Sequence, residues 1–138
     1  MTFIVERLVE LRRHLDHLEE LRGKVSDATD LRADLSLHND VLFSLLTVCQ
    51  LVIDISGELA ARRALRFEDY TSAVRALEQV HDFPADMVAD LARLPGFRNV
   101  LIHEYVELDL SLAVEALERL DVVRRFVRLV ADLEEAGT

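Results

Sequence analysis

Between Leu37 and Leu59 apolar residues recur too densely to form a single helical stripe, so a helix built here must be covered on most of its sides. That helix is expected to run through the middle of a bundle. The segment before it supplies a first cover: Ile4, Leu8, Leu11, Leu15 and Leu18 alternate in steps of four and three, the spacing that lines one face of a helix. Charged residues from Glu6 to Glu20 fill the other faces, several spaced for i,i+3 or i,i+4 pairing, and the helix should end near Gly23. Gly23 to Thr29 reads as a polar connection, with Asp30 or Ser36 as the cap of the helix that follows.

Downstream, the Glu68-Asp69 pair marks the start of a shorter helix carrying Tyr70, Val74 and Leu77. His81-Asp82-Phe83 makes a turn, and Pro84 suits the first turn of a helix that points Met87, Val88, Leu91 and Leu94 inward. Pro95-Gly96 then ends or kinks it. Glu107 to Ser111 is a connection, and the last helix spans about Leu112 to Glu135. One stripe there runs through Ala113, Leu117, Leu120, Val123, Val127 and Val130; a second runs through Val122, Phe126, Leu129 and Leu133, which suggests a self-association surface. With only four Gly and two Pro in 138 residues, long helices joined by short connections are expected. The sum is an all-α, up-and-down bundle of about five helices, one domain over residues 1–138.

The net charge of −10 excludes a protein that coats nucleic acid non-specifically, since counterion release needs a basic surface, so any RNA site must be local. Cys49 is the only cysteine; it reads as a small core hydrophobe and rules out an intrachain disulfide. The first residues reach Glu6 and Arg7 before any apolar h-region, so no signal peptide is expected. The apolar stretch from Val41 to Ile55 falls short of a span of roughly 20 residues. A soluble cytoplasmic protein follows as the expectation.

One stretch concentrates chemistry: Arg98-Asn99-Val100-Leu101-Ile102-His103-Glu104-Tyr105. A guanidinium can brace an anionic phosphoryl group, and an imidazole titrates near neutral pH, so the pair suits phosphate-ester chemistry. Asn99 and His103 are an i,i+4 pair able to touch, whereas Arg98 and His103 lie about 140° apart around a helix axis. Either the helix ends near His103, or two copies of the motif face each other across a dimer cleft. Tyr105 would share the Arg98 side if the helix continued that far. A plain alternative is a His103 that only caps a helix C-terminus.

Other polar groups carry weaker signals. Asp54, inside an apolar run, should meet an Arg or a helix terminus. Arg62, Arg63 and Arg66 form the densest positive cluster, a solvated helix end or an RNA-facing patch. His14 and His17, with Glu10 one turn before His14, sketch a metal site but lack a completing ligand, so solvated histidines are the preferred reading. A di-metal bundle needs Glu-x-x-His repeats on facing helices, and the sequence offers none in the required pairs.

Arg98-Asn99 followed by His103-Glu104-Tyr105 resembles the Arg-x4-6-His motif of the HEPN superfamily, in the Arg-Asn-x-x-x-His-x-Tyr form of the HepT-type toxins. Ile53-Asp54, Tyr70, and Leu91 with Leu94 extend the likeness over most of the chain. The resemblance implies a helical homodimer with a metal-independent endoribonuclease site between protomers, as in type VII-like toxin-antitoxin pairs. Arg98 would bind the scissile phosphate, His103 would act as general acid or base, and Asn99 would orient one of them. It also implies an MntA-like nucleotidyltransferase antitoxin that consumes ATP to place AMP on Tyr105; no cofactor or metal is implied for the chain itself. Two other readings compete: a non-catalytic HEPN module that binds nucleotide or substrate for a nucleotidyltransferase, and a structural bundle assembling through its last helix.

Overall fold

Helix α1 (Phe3–Arg22) begins where the Thr2 hydroxyl accepts a hydrogen bond from the Val5 N–H at 3.2 Å, the usual way of satisfying a free amide at a helix start. It appears in a computed structural model that describes residues 2–137. The stripe from Ile4 to Leu18 is buried as expected, and Leu21 continues it. The polar connection that follows contains a helix of its own, α2 (Ala28–Ala33). Asp27 caps it by accepting from the Thr29 N–H at 2.8 Å, and Asp30 reciprocates by accepting from the Asp27 N–H at 3.4 Å and from the Ser26 N–H at 2.6 Å. The cap of the next helix is Asp34, whose carboxylate accepts from Leu37 N–H at 3.1 Å; neither Asp30 nor Ser36 fills that role.

Helix α3 (Leu35–Arg62) is longer at both ends than its apolar core. At 28 residues it is long and apolar enough to cross a bilayer by length and composition, contrary to the sequence estimate. Half of that apolar window is instead buried, because α3 packs against α1, α2, α4 (Tyr70–Arg75) and α6 (Leu94–His103). Asp69 caps α4 and Ser72 returns the bond; the helix tightens into a 3-10 turn at Ala76–Gln79. Pro84 stands just ahead of α5 (Ala85–Leu91) as its cap residue, with an extended backbone, and not inside the first turn. The break before α6 falls at Ala92-Arg93, leaving Pro95 in the first turn of α6, where it has no amide to lose.

The last helix is two. Asp109 accepts from the Ser111 N–H at 3.0 Å and starts α7 (Leu110–Leu117) earlier than the apolar pattern suggests. After Glu118-Arg119 the chain continues as α8 (Leu120–Glu135). No Gly or Pro marks that break, but it lets α7 reach α2 and α3 while α8 reaches α1 and α5. This corrects the self-association argument. Phe126 is fully buried with its ring centroid 6.0 Å from that of Phe83, Leu133 is buried, and Val122 and Leu129 are half-buried against the core. The first stripe of α8 and the Phe126 and Leu133 part of the second are therefore core within one chain, while Val122 and Leu129 keep part of their surface exposed. One hydrophobic cluster joins residues of α1 to α8.

Candidate active site

Arg98 lies in the second turn of α6, half-buried against α3. Its Nε–H donates to Gln50 Oε1 at 2.6 Å, and Gln50 Nε2 donates onward to Asp54 Oδ1 at 2.8 Å. Nη1 donates to Asn99 Oδ1 at 3.1 Å, and the guanidinium carbon sits 5.0 Å from the centre of the Tyr70 ring, within cation–π range. Asp54 thus meets Arg98 only through an intervening amide, where a direct pairing was expected. A recess of about 290 Å³ opens beside the guanidinium, lined by Leu46, Thr47, Gln50, Leu51, Arg98 and Ile102. All of Arg98's hydrogen-bond partners are neutral.

Helix α6 ends at His103, where the Glu104 N–H closes the last turn on Val100 O. The His103 side chain is exposed and makes no hydrogen bond or ion pair among the described residues. Asn99, expected beside His103, is bonded to Arg98 instead, because that side chain reaches along the helix surface to its neighbour's guanidinium. Tyr105 lies beyond the helix, in a turn closed by Glu107 N–H on Glu104 O at 3.0 Å; it is 66% exposed. The condition that would have put it on the Arg98 side by helical geometry is not met. No hydrogen bond joins Arg98 to His103 in one chain, as the angle of about 140° between them around the helix requires.

On the other flank of α6, Leu94, Phe97 and Val100 line a larger cleft of about 680 Å³ shared with Leu112 and Val122. Leu94, expected to point inward, is consequently half-buried, as is Phe97, whereas Leu101 is buried. Cys49 lies under this cleft; burial pushes its thiol up to about 12, against a smaller downward pull from the Arg98 cation, which makes it unreactive.

The arginine cluster is largely committed within the fold. Arg62 binds Glu134 at 2.6 Å and Glu58 at 3.5 Å, and Arg63 Nη1 donates to Leu59 O at 3.1 Å at the end of α3. Arg66 alone has no such partner among the described residues. His14 is not simply solvated: its Nδ1 lies 3.0 Å from Ser44 Oγ, its ring 6.1 Å from that of Phe43, and burial lowers its pKa. His17 faces Asp40 at 3.8 Å. No group of three or more metal-capable side chains occurs among the described residues.

Gln50 escaped the sequence reading, although one signal was available. Gln50 and Asp54 are an i,i+4 polar pair on a helix otherwise rich in apolar residues, and such a pair shares one face. Tyr70 reads in sequence as part of a helix and of the family likeness, and nothing local links it to Arg98.

Comparison with known proteins bears on this site. The family model described as ribonuclease HepT-like matches residues 11–130. An Archaeoglobus fulgidus protein, provisionally named an RNase, is 33% identical over 114 residues, covering 80% of this chain and 84% of its own length. The mRNA nuclease HepT of Shewanella oneidensis is 21% identical over 129 residues, covering 92% and 95%. Among solved structures, a tri-AMPylated Shewanella oneidensis HEPN toxin in complex with an MNT antitoxin aligns with a TM-score of 0.82 at 21% identity, covering 96% of this chain and 99% of that one. The MntA-HpeT toxin-antitoxin pair carrying a tyrosine-to-alanine substitution aligns at 0.84 and 19% identity, covering 95% and 99%. The structural matches establish the helical fold; with the family model over most of its length and a relative at one-third identity, the chain belongs to the HepT-like ribonuclease family.

Proposed function

We propose that the chain is an endoribonuclease toxin, working without a metal, whose cleavage site forms when two copies place their α6 ends at a common cleft. The observation that carries this reading is the state of Arg98. In a chain with net charge −10, this half-buried guanidinium is held by an amide, an amide and a phenol ring, and so keeps its charge for an anion from outside. Arg98 binds the scissile phosphate and stabilises the charge that grows on it. An exposed His103 takes the proton of the ribose 2′-hydroxyl, whose oxygen attacks phosphorus; the P–O5′ bond breaks, and a protonated imidazole, His103 of the partner subunit, supplies the leaving oxygen's proton. Asn99, bonded to Arg98, orients the guanidinium.

Because one helix aims Arg98 and His103 in different directions, the second copy is part of the site. The exposed turn at Glu104 to Glu107 fits Tyr105 to be the residue adenylated by a nucleotidyltransferase antitoxin using ATP. A bulky anion there obstructs RNA by sterics and charge. The Shewanella oneidensis toxin in the structural match is itself tri-AMPylated and bound to an MNT antitoxin, which supports the same arrangement here. The test is growth of cells expressing the chain. Wild type should arrest growth, while Arg98→Ala and His103→Ala, at equal soluble levels, should not. Arrest by both variants would refute the reading.

A further inference from the structure

We infer that Gln50 and Asp54 are positioning residues for Arg98, an amide and a carboxylate that fix where the guanidinium points. The inference rests on the reading of Arg98 as the phosphate-binding cation. A glutamine amide presents an acceptor on one side and a donor on the other, and by itself it can flip. Asp54, when ionised, only accepts, so its 2.8 Å bond to Gln50 forces the NH2 toward α3 and leaves the carbonyl for Arg98 Nε–H at 2.6 Å. Orientation thus passes from Asp54 to Gln50 to Arg98. The Tyr70 ring closes a second side and Asn99 takes Nη1. Nη2 is left without a bond among the described residues, and Arg98 itself lines the recess it shares with Leu46, Thr47 and Ile102.

The amide also explains why a carboxylate is not placed directly on Arg98. A direct ion pair would hold the side chain equally well but would neutralise the charge that RNA needs. Interposing Gln50 keeps the geometry and leaves the cation uncompensated, with Asp54 one bond further away. Geometry and charge are therefore separable by substitution.

The test uses the full chain, an RNA oligonucleotide, and single-turnover cleavage measured as a function of RNA and salt. Gln50→Leu and Asp54→Asn should lower the rate at saturating RNA by about 10- to 100-fold, the effect of misplacing a reacting group, with little change in half-saturation. Gln50→Glu should instead raise half-saturation and flatten the salt dependence by about one phosphate contact. A purely structural role would not separate these responses. Should Arg98→Ala abolish cleavage while Gln50→Leu and Asp54→Asn cleave at the wild-type rate, the positioning role is wrong and the active-site reading stands. Should Arg98→Ala cleave normally, both fall. A measurement on the wild type covers variants that fail to fold: the ¹⁵Nε–H resonance of Arg98, identified by its loss in Arg98→Lys, should exchange slowly with water, and exchange as fast as that of exposed arginines would overturn the inference.

Discussion

Phe126→Ala tests the claim that Phe126, on the second apolar stripe of α8, belongs to the core of a single chain. The ring is fully buried and sits 6.0 Å from that of Phe83. Burying a phenyl side chain removes about 150–250 Å² from water, which at about 25 cal/mol per Å² gives roughly 4–6 kcal/mol as an upper bound. Measured Phe→Ala losses of about 3–5 kcal/mol fall in the same range. Total stability is expected at about 5–15 kcal/mol, so roughly a fifth or more of it is at stake. With a urea slope of about 1–3 kcal/mol per M, the midpoint should fall by at least about 1 M. Leu129→Ala, at a half-buried site on the same stripe, should cost less. Urea denaturation of both variants, with size-exclusion chromatography on the folded fractions, provides the assay. A Phe126→Ala chain that keeps its midpoint and merely separates into folded monomers would refute the reasoning and restore α8 as an assembly surface.

Three further outcomes follow from named side chains. Co-expression with a nucleotidyltransferase antitoxin should add whole AMP units to the intact mass of the wild type and none to Tyr105→Phe, since Tyr105 stands 66% exposed beyond α6; equal labelling of Tyr105→Phe would exclude that tyrosine. Burial lowers the pKa of His14 below its ordinary 6.5, so above that value the residue adds no pH dependence, while below it the unfolded chain takes up a proton that the folded chain resists. Wild-type stability should therefore fall faster than that of His14→Gln as pH drops from 6.5, as read by urea midpoints; parallel profiles would contradict this. Cys49, with its thiol pushed up to about 12, should resist iodoacetamide at pH near 8 until urea unfolds the chain, and rapid native alkylation would show that the cleft above it opens.

The fold was legible where periodicity was strong. The Ile4 to Leu18 stripe, the densely apolar α3 and the inward residues of α5 all lie where their spacing puts them. What failed to show was decided by capping and by tertiary partners. The helix at Ala28–Ala33 has one buried residue, Leu31, and depends on a carboxylate box that looks like ordinary loop chemistry in sequence. The break at Glu118-Arg119 lacks Gly or Pro; both flanking helices touch α1, but α7 also packs on α2 and α3 and α8 on α5, a division no local residue announces. The double stripe of α8 was visible, but a helix covered on two sides by its own chain has the same pattern as one covered by a second copy. At the site, the five-residue spacing of Arg98 and His103 already sets them about 140° apart around α6, and within one chain no hydrogen bond joins them. That spacing gives no sign of Gln50 and Tyr70, since their link to Arg98 spans α3, α4 and α6.

Cleavage of a defined RNA in excess chelator by wild type, Arg98→Ala and His103→Ala, with circular dichroism confirming equal folding, tests the central claim most directly. The account predicts that the wild type cuts the RNA, that a DNA strand of the same sequence stays intact for lack of a 2′-hydroxyl, and that each variant loses at least about 100-fold in rate. Cleavage by both folded variants at the wild-type rate, or wild-type cleavage that vanishes with chelator and returns with metal, would contradict it.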